Sequence, residues 1–258
     1  AAAGPAEDDA AAKALAALDE AARDAKVAHL KSLAGKKEEF ATVAARLLAE
    51  YPDHLPLMRV RLDHVRKLYL NGDGLPASTP AAEAAAAADE IDEASDAVLG
   101  LIDLRETAAQ LGMNPPPASD AAATKARQTA EEHKKAIAAA LAAKARSALM
   151  RLTSGASEDA AALDAAYGEL QRWADVTSEA HWQLFVGHHR RRGRHGTVLK
   201  KLRALSAASA DNKGPSGVSR EALHQEKLLE MRALGWDFAV AYDERMRIVE
   251  NPGRPPIY

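Results

Sequence analysis

The chain has 258 residues, a formal net charge of −3 and no cysteine. The missing cysteines exclude disulfide staples, thiolate metal centres and cysteine nucleophiles, and the mild acidity disfavours a dedicated nucleic-acid binder, which is normally strongly basic. Alanine supplies about a quarter of the residues and aromatics only 4%, so an all-α chain is expected, because alanine loses no side-chain entropy in a helix and buries no polar group.

The length suits one large domain or two small ones. No apolar run approaches the roughly 20 residues a membrane helix needs, so no membrane partner is expected. The start, Ala1-Ala2-Ala3-Gly4-Pro5, has neither the charged segment nor the apolar run of a secretory leader. The missing initiator methionine fits a fragment or a processed product, and the whole fits a cytoplasmic location.

In chain order, a first helix is predicted over about Ala6 to Ala34, stopped by Gly35. The second is the most legible. Phe40, Val43, Ala44, Leu47, Leu48 and Tyr51 fall at i, i+3, i+4, i+7, i+8 and i+11, one apolar stripe. Pro52 ends it, because the residue before a proline is pushed out of helical geometry. A third helix restarts at Leu55-Pro56, with proline tolerated in the first turn. Its expected buried face is Leu55, Met58, Leu62, Val65 and Tyr69, with Leu57 packing beside the Pro52-to-Pro56 turn.

Asn71 to Pro80 reads as a loop. Two long helices follow, about Ala81 to Leu111 and about Ser119 to Leu152, separated by Pro115-Pro116-Pro117. Their thin apolar stripes are padded with alanine, which lets helix axes approach closely, so they are expected to form a long antiparallel hairpin. Shorter helices are predicted over Ser157–Val176, Ser178–Arg192, His195–Ser206, Ser219–Leu234 and Asp237–Glu250, with a polar loop at Ser209–Gly217. The expected architecture is an irregular α-solenoid or helical array of about ten helices, without a regular 34-residue repeat. It divides by composition into N-terminal helices (1–80), the hairpin (81–152) and a C-terminal array (153–258), which together form one helical module.

Chemistry is sparse. There is no phosphate-cradling glycine loop, no His-Glu-x-x-His pair and no Gly-x-Ser-x-Gly elbow. Adjacent His188 and His189 point about 100° apart on a helix and cannot easily share an ion, and His181 lies roughly 10 Å away along the axis. His195-Gly196-Thr197 matches the element that carries the catalytic base of subtilisin-like proteases. The nucleophile and orienting-carboxylate elements of that fold are absent, so the triplet reads as a helix start after a glycine turn. No catalytic residue, metal or cofactor is expected. Trp173, Trp182 and Trp236 read as core anchors.

Charge is asymmetric along the chain. His181 to Arg203 holds seven bases (Arg190, Arg191, Arg192, Arg194, Lys200, Lys201, Arg203) and no acid, whereas Ala81 to Glu106 holds eight acids against one arginine. The expected use of the basic strip is an interface, with Arg190, Arg191, Arg192, Arg194, Lys200 and Lys201 meeting an acidic face of the hairpin or of a neighbouring protomer. A solvated helix face is the plain alternative. RNA or phosphate binding ranks below both, since the strip lacks interleaved exposed aromatics.

Several segments go beyond composition. Arg23-Asp24-Ala25-Lys26-Val27-Ala28, Tyr51-Pro52-Asp53-His54-Leu55-Pro56-Leu57 and Arg61-Leu62 resemble the C-terminal helical region of the tripeptidyl peptidase II family of subtilisin-like serine exopeptidases. So do Arg172-Trp173-Ala174-Asp175-Val176, Gly193-Arg194-His195-Gly196, and Leu234-Gly235-Trp236 with the tail Pro255-Pro256-Ile257-Tyr258. These occur in the family's order from about Ala22 to the end. The resemblance implies part of an enzyme that releases tripeptides from free N-termini of oligopeptides, largely those made by the proteasome, and that assembles into giant homo-oligomers. Its partners would be other domains and protomers of the same peptidase. No catalytic residue of the family maps onto this chain, so the implied role is assembly and substrate access. A stand-alone helical scaffold is the alternative.

Overall fold

The computed structural model describes residues 5–70, 79–112, 120–210, 220–237 and 239–240, with side chains from residue 18 onward apart from 179, 208–210 and 220–222. Ten α-helices and no strand occur among the described residues. They are α1 (Pro5–Ser32), α2 (Lys37–Glu50), α3 (Leu55–Tyr69), α4 (Ala81–Gly100), α5 (Leu104–Gly112), α6 (Ala121–Thr153), α7 (Ala161–Trp173), α8 (Trp182–Arg191), α9 (His195–Ala210) and α10 (Arg220–Ala233). The chain is all-α, as its composition predicts. The expected last helix with Phe238, Tyr242, Met246 and Val249, the loops at 71–78 and 211–217, the triple proline and the proline tail lie outside the described residues.

The helices group into two compact units, 1–157 and 158–258. The N-terminal helices and the hairpin fall in the same unit. In the first unit, α1, α2 and α3 enclose Val27, Leu30, Leu33, Phe40, Ala44, Leu47, Leu57 and Val60, with Val43, Leu48 and Tyr51 at the margin. The α2 stripe is therefore placed as its spacing predicts. The third helix differs from expectation. Leu57, Met58, Val60, Leu62, His64 and Val65 are all buried, because α3 packs on α1 and α2 with one side and on α4 and α6 with another. Leu57 is fully buried in the core with α1 and α2 rather than resting beside a turn.

The hairpin register is written in its ion pairs. Arg151 bonds Asp89 and Asp92 at 2.7 Å each, and Lys144 bonds Asp96 at 2.6 Å. Positions rise along α4 as they fall along α6, so the two are antiparallel. On α4, buried Ala84, Ala88, Ile91, Ser95 and Val98 repeat at three- and four-residue steps, and α6, against which α4 packs, buries Ile137, Ala140, Leu141 and Ala148 among others. The seam is made mostly of methyl groups. Ser147 reaches Asp92 across it, and Ser95 returns its hydroxyl to the Ile91 carbonyl at 2.7 Å.

The helix expected over 81–111 is two helices. It breaks after Gly100, and Asp103 accepts the backbone N–H groups of Arg105 and Glu106, both at 2.9 Å, which starts α5. A carboxylate serving the orphan donors of a first turn makes a new helix start there. Likewise α6 begins behind Asp120, which accepts from the Ala123 N–H at 2.9 Å.

In the second unit, α7 is shorter than expected at both ends. Asp159 takes the Ala161 N–H at 2.8 Å, and Ala174 is extended after Trp173. A 3-10 turn at Glu179–His181 then leads into α8. One core joins Val186, Val198, Leu202, Leu205 and Leu223 with Trp182, and another joins Leu199, Leu228, Met231 and Val240.

Candidate functional site

The motif segments act first as helix punctuation. After α8, Gly193 adopts φ +67°. Its N–H bonds the Arg190 carbonyl at 2.9 Å, and the Arg194 N–H bonds that of His189 at 3.0 Å. After α10, Gly235 at φ +72° repeats the pattern, with Gly235 N–H to Arg232 at 2.9 Å and Trp236 N–H to Met231 at 2.9 Å. Both are Schellman stops, in which a left-handed residue lets two orphan carbonyls be satisfied. Pro52 lies exposed after α2, and Pro56 sits in the first turn of α3 behind Leu55. Tyr51 is half-buried with the Lys26 ammonium 4.1 Å from its ring centre, and Lys26 also pairs with Glu50 at 2.8 Å. Trp173 is half-buried at the end of α7, and Trp236 is 44% exposed beneath the Arg203 guanidinium.

The tight turn at Gly193 brings the end of α8 and the start of α9 against α10, and there the most unusual group of the second unit is found. Glu230 is only 1% exposed, yet it is an acid. Its two oxygens are taken by the Arg190 Nε and by His195 Nδ1 at 2.8 Å, while Glu226 takes another arm of Arg190. A buried carboxylate is tolerable when charge-assisted hydrogen bonds occupy its lone pairs. Burial opposes the Arg190 charge, and Glu226 with Glu230 outweighs it, leaving the guanidinium above its ordinary range.

Beside this lies a ring cluster between α7 and α8. Tyr167 and His188 stack with centres 3.9 Å apart at 8°, and His189 stands edge-on to both. His188 Nδ1 is 3.3 Å from Asp164, too poorly aligned for a hydrogen bond. Burial pushes the His188 imidazole down to about 4, with His189 adding to the effect, and raises the Tyr167 phenol to about 12. Asp164 is held below the carboxylate range, chiefly by Arg192, which grips it at 2.6 and 3.1 Å. Among the described residues, no group of three or more His, Asp or Glu side chains converges to hold a metal ion.

The structure thus divides the sequence-predicted basic strip. Arg190 and Arg192 have carboxylate partners in their own unit, and Lys201 donates to the Thr177 carbonyl. Five of the six acids of α4 have partners in theirs: Glu93 with Arg61 at 2.9 Å, Glu90 with Tyr69 at 2.8 Å, and Asp89, Asp92 and Asp96 in the Arg151 and Lys144 pairs. Arg191, Arg194 and Lys200 remain exposed on one stretch of α8, its turn and α9. Sequence reading missed Glu226 and Glu230. Their signal was two acids at i, i+4 on the same side of α10 as the buried Leu223.

His195 with Glu230 has the form of a base and its orienting carboxylate. What it does here is visible in the bonds: α8, α9 and α10 are fastened to one another through a single acid. Fold and cluster together define an all-α helical module with a buried polar clasp. Across that module the chain is similar to tripeptidyl-peptidase 2 of Oryza sativa subsp. japonica, with 28% identity over 249 residues. It is also similar to tripeptidyl-peptidase 2 of Arabidopsis thaliana, with 26% identity over 255 residues. In both cases 93% of this chain is matched, and the chain spans 17% of the relative's length. No family model matches the chain, and no solved structure matches it.

Proposed function

We propose that this chain is a non-catalytic helical module of a tripeptidyl peptidase, serving assembly of the enzyme and the shaping of substrate access. The observation that carries this is the match itself, 93% of the chain against 17% of two proteins named tripeptidyl-peptidase 2. The chemistry agrees. His195, which meets the carboxylate of Glu230, is tied into a clasp with Arg190, and the motif residues end and begin helices. Subtilisin-type chemistry, oligopeptide substrates, a large homo-oligomer and a cytoplasmic setting go with that resemblance.

Two experiments test the proposal. Incubated with a tripeptide-leaving fluorogenic substrate, the 258-residue chain hydrolyses nothing above buffer; turnover abolished by His195→Ala overturns the non-catalytic role. In the whole peptidase, Arg191, Arg194 and Lys200 are the exposed bases to reverse to glutamate. High-order assembly should weaken at low salt and less so at moderate salt, because exposed charges act through screened fields. Sedimentation with circular dichroism alongside reads this. Assembly untouched at both salt concentrations makes these bases a solvated face.

A further inference from the structure

Packed helices turn their large apolar side chains toward each other and their polar ones toward water. The base of the α4–α6 hairpin does so, burying Ile91 and Val98 on one helix and Ile137 and Leu141 on the other. The α5–α6 end reverses the pattern. A cleft of about 590 Å³ lies between α5 and the first turns of α6. Its α5 wall is Asp103, Glu106, Thr107 and Gln110, at i, i+3, i+4 and i+7, a single stripe of the helix and its cap. Its α6 wall is Ala122, Lys125, Ala126, Thr129, Ala130 and His133, again a single stripe. Leu101 at the start of the α5 wall is the one large apolar side chain of this lining, and Leu104 and Leu111 are not part of it.

The polar groups of the cleft fall into two sets. Asp103 and Thr107 serve α5 itself: the Asp103 carboxylate caps its first turn, and the Thr107 hydroxyl bonds the Asp103 carbonyl at 2.7 Å. Glu106, Gln110, Lys125, Thr129 and His133 have no side-chain hydrogen bond or ion pair among the described residues. At the other end of α6, by contrast, Lys144 and Arg151 are both committed to acids of α4. Donors and acceptors of both signs thus line one concave space without using each other. A few convergent polar groups in a cleft otherwise walled by small apolar side chains, here Ala122, Ala126 and Ala130, are the make-up of a small-ligand site.

The charges and the length say which ligand fits. Opposite signs on the two walls oppose a simple anion or cation, because one wall repels each, and favour a molecule that carries both charges. The chain leaves α5 at Gly112 and enters α6 at Ala121. This short link places Gln110 and Lys125 toward one end of the cleft, and Asp103 and His133 toward the other, with Glu106 one turn from Asp103. Lys125 to His133 is eight positions of helix, about 12 Å at 1.5 Å per residue. Three extended peptide residues cover about 10 Å. Along that length the Gln110 amide and the Thr129 hydroxyl offer donors and acceptors to peptide groups.

We propose that the α5–α6 cleft binds a short zwitterionic peptide of about three residues, with its ammonium group on Glu106 and its carboxylate on Lys125. The site needs no catalytic group in this chain and is independent of the assembly reading above.

The test is calorimetric titration of the 258-residue chain with trialanine. The expected result is one saturable site with a Kd of about 0.1–1 mM, in keeping with so small a ligand. Acetylating the amino end of trialanine, or amidating its carboxyl end, should each weaken binding about tenfold, and free alanine should bind at least about tenfold more weakly than trialanine. Glu106→Gln should weaken trialanine about tenfold and leave the acetylated peptide unaffected; Lys125→Gln should do the same with the amidated peptide. This crossed pattern ties each end of the ligand to one side chain, which general loosening of the helices does not produce. Both residues are exposed, and circular dichroism confirms that each variant keeps its helices. Four results overturn the proposal: no saturation up to about 10 mM trialanine, blocked ends that bind as well as free ones, variants that bind every peptide like the parent, or alanine binding as tightly as trialanine.

Discussion

Replacing Glu230 with alanine tests whether the clasp holds the second unit together. The acid is 1% exposed and its removal strands two cationic or polar partners, Arg190 and His195. Breaking one side of a buried ion pair costs about 3–5 kcal/mol, because the remaining charge is left without compensation. Here Arg190 is 34% exposed and keeps Glu226, so the cost belongs at the low end, about 3 kcal/mol. The paired change Arg190→Met with Glu230→Met should cost less than Glu230→Ala, since the fully buried acid leaves together with its guanidinium and only the half-exposed Glu226 and His195 lose a partner. The assay is urea unfolding followed by tryptophan fluorescence. Trp173, Trp182 and Trp236 all fall in the second unit, so this signal reports it alone. A loss below about 0.5 kcal/mol for the single change, or a double variant less stable than the single one, refutes the account of Glu230 as a charge-compensated anchor.

Two further outcomes follow from burial. Leu57→Ala and Leu62→Ala should each cost roughly 2–5 kcal/mol and combine nearly additively, because they pack on different sides of α3; far-UV circular dichroism in urea checks this, and a loss below about 0.5 kcal/mol for either means that its side of α3 is misassigned. The His188 proton is disfavoured in the folded state, where its pKa is lowered from 6.5 to about 4. Unfolded chains bind more protons than folded ones across that window, so stability is full above pH 6.5 and falls as pH drops toward 4. His188→Phe keeps the stack on Tyr167 and should flatten the fluorescence-detected decline; an unchanged profile assigns the proton to another group.

What was legible in the sequence was local. Pro52, Pro56 and the apolar stripe between Phe40 and Tyr51 set the ends and the inner face of α2 and the start of α3. The break inside 81–111 was also local, in Asp103 followed three residues later by Glu106, but the alanine-rich flanks on both sides favoured one continuous helix. The double burial of α3 was not legible. Leu57 and Leu62 lie five positions apart and so about 140° around the helix, and periodicity alone rewards a single stripe. The clasp was hidden for a different reason. Arg190 and Glu230 are forty positions apart, and a run of bases without local acids looks unopposed until the turn at Gly193 and the return of α10 bring acids beside it.

The alanine seam between α4 and α6 also has a thermal consequence. The heat capacity of unfolding grows with the apolar area newly wetted, about +0.45 cal/K/mol for each Å². A seam closed by Ala84, Ala88, Ala140 and Ala148 releases far less such area on opening than one closed by leucines. The hairpin therefore adds little curvature to the temperature dependence of stability and little slope to its denaturant dependence. Its contribution to stability is expected to be nearly the same in the cold as at moderate heat.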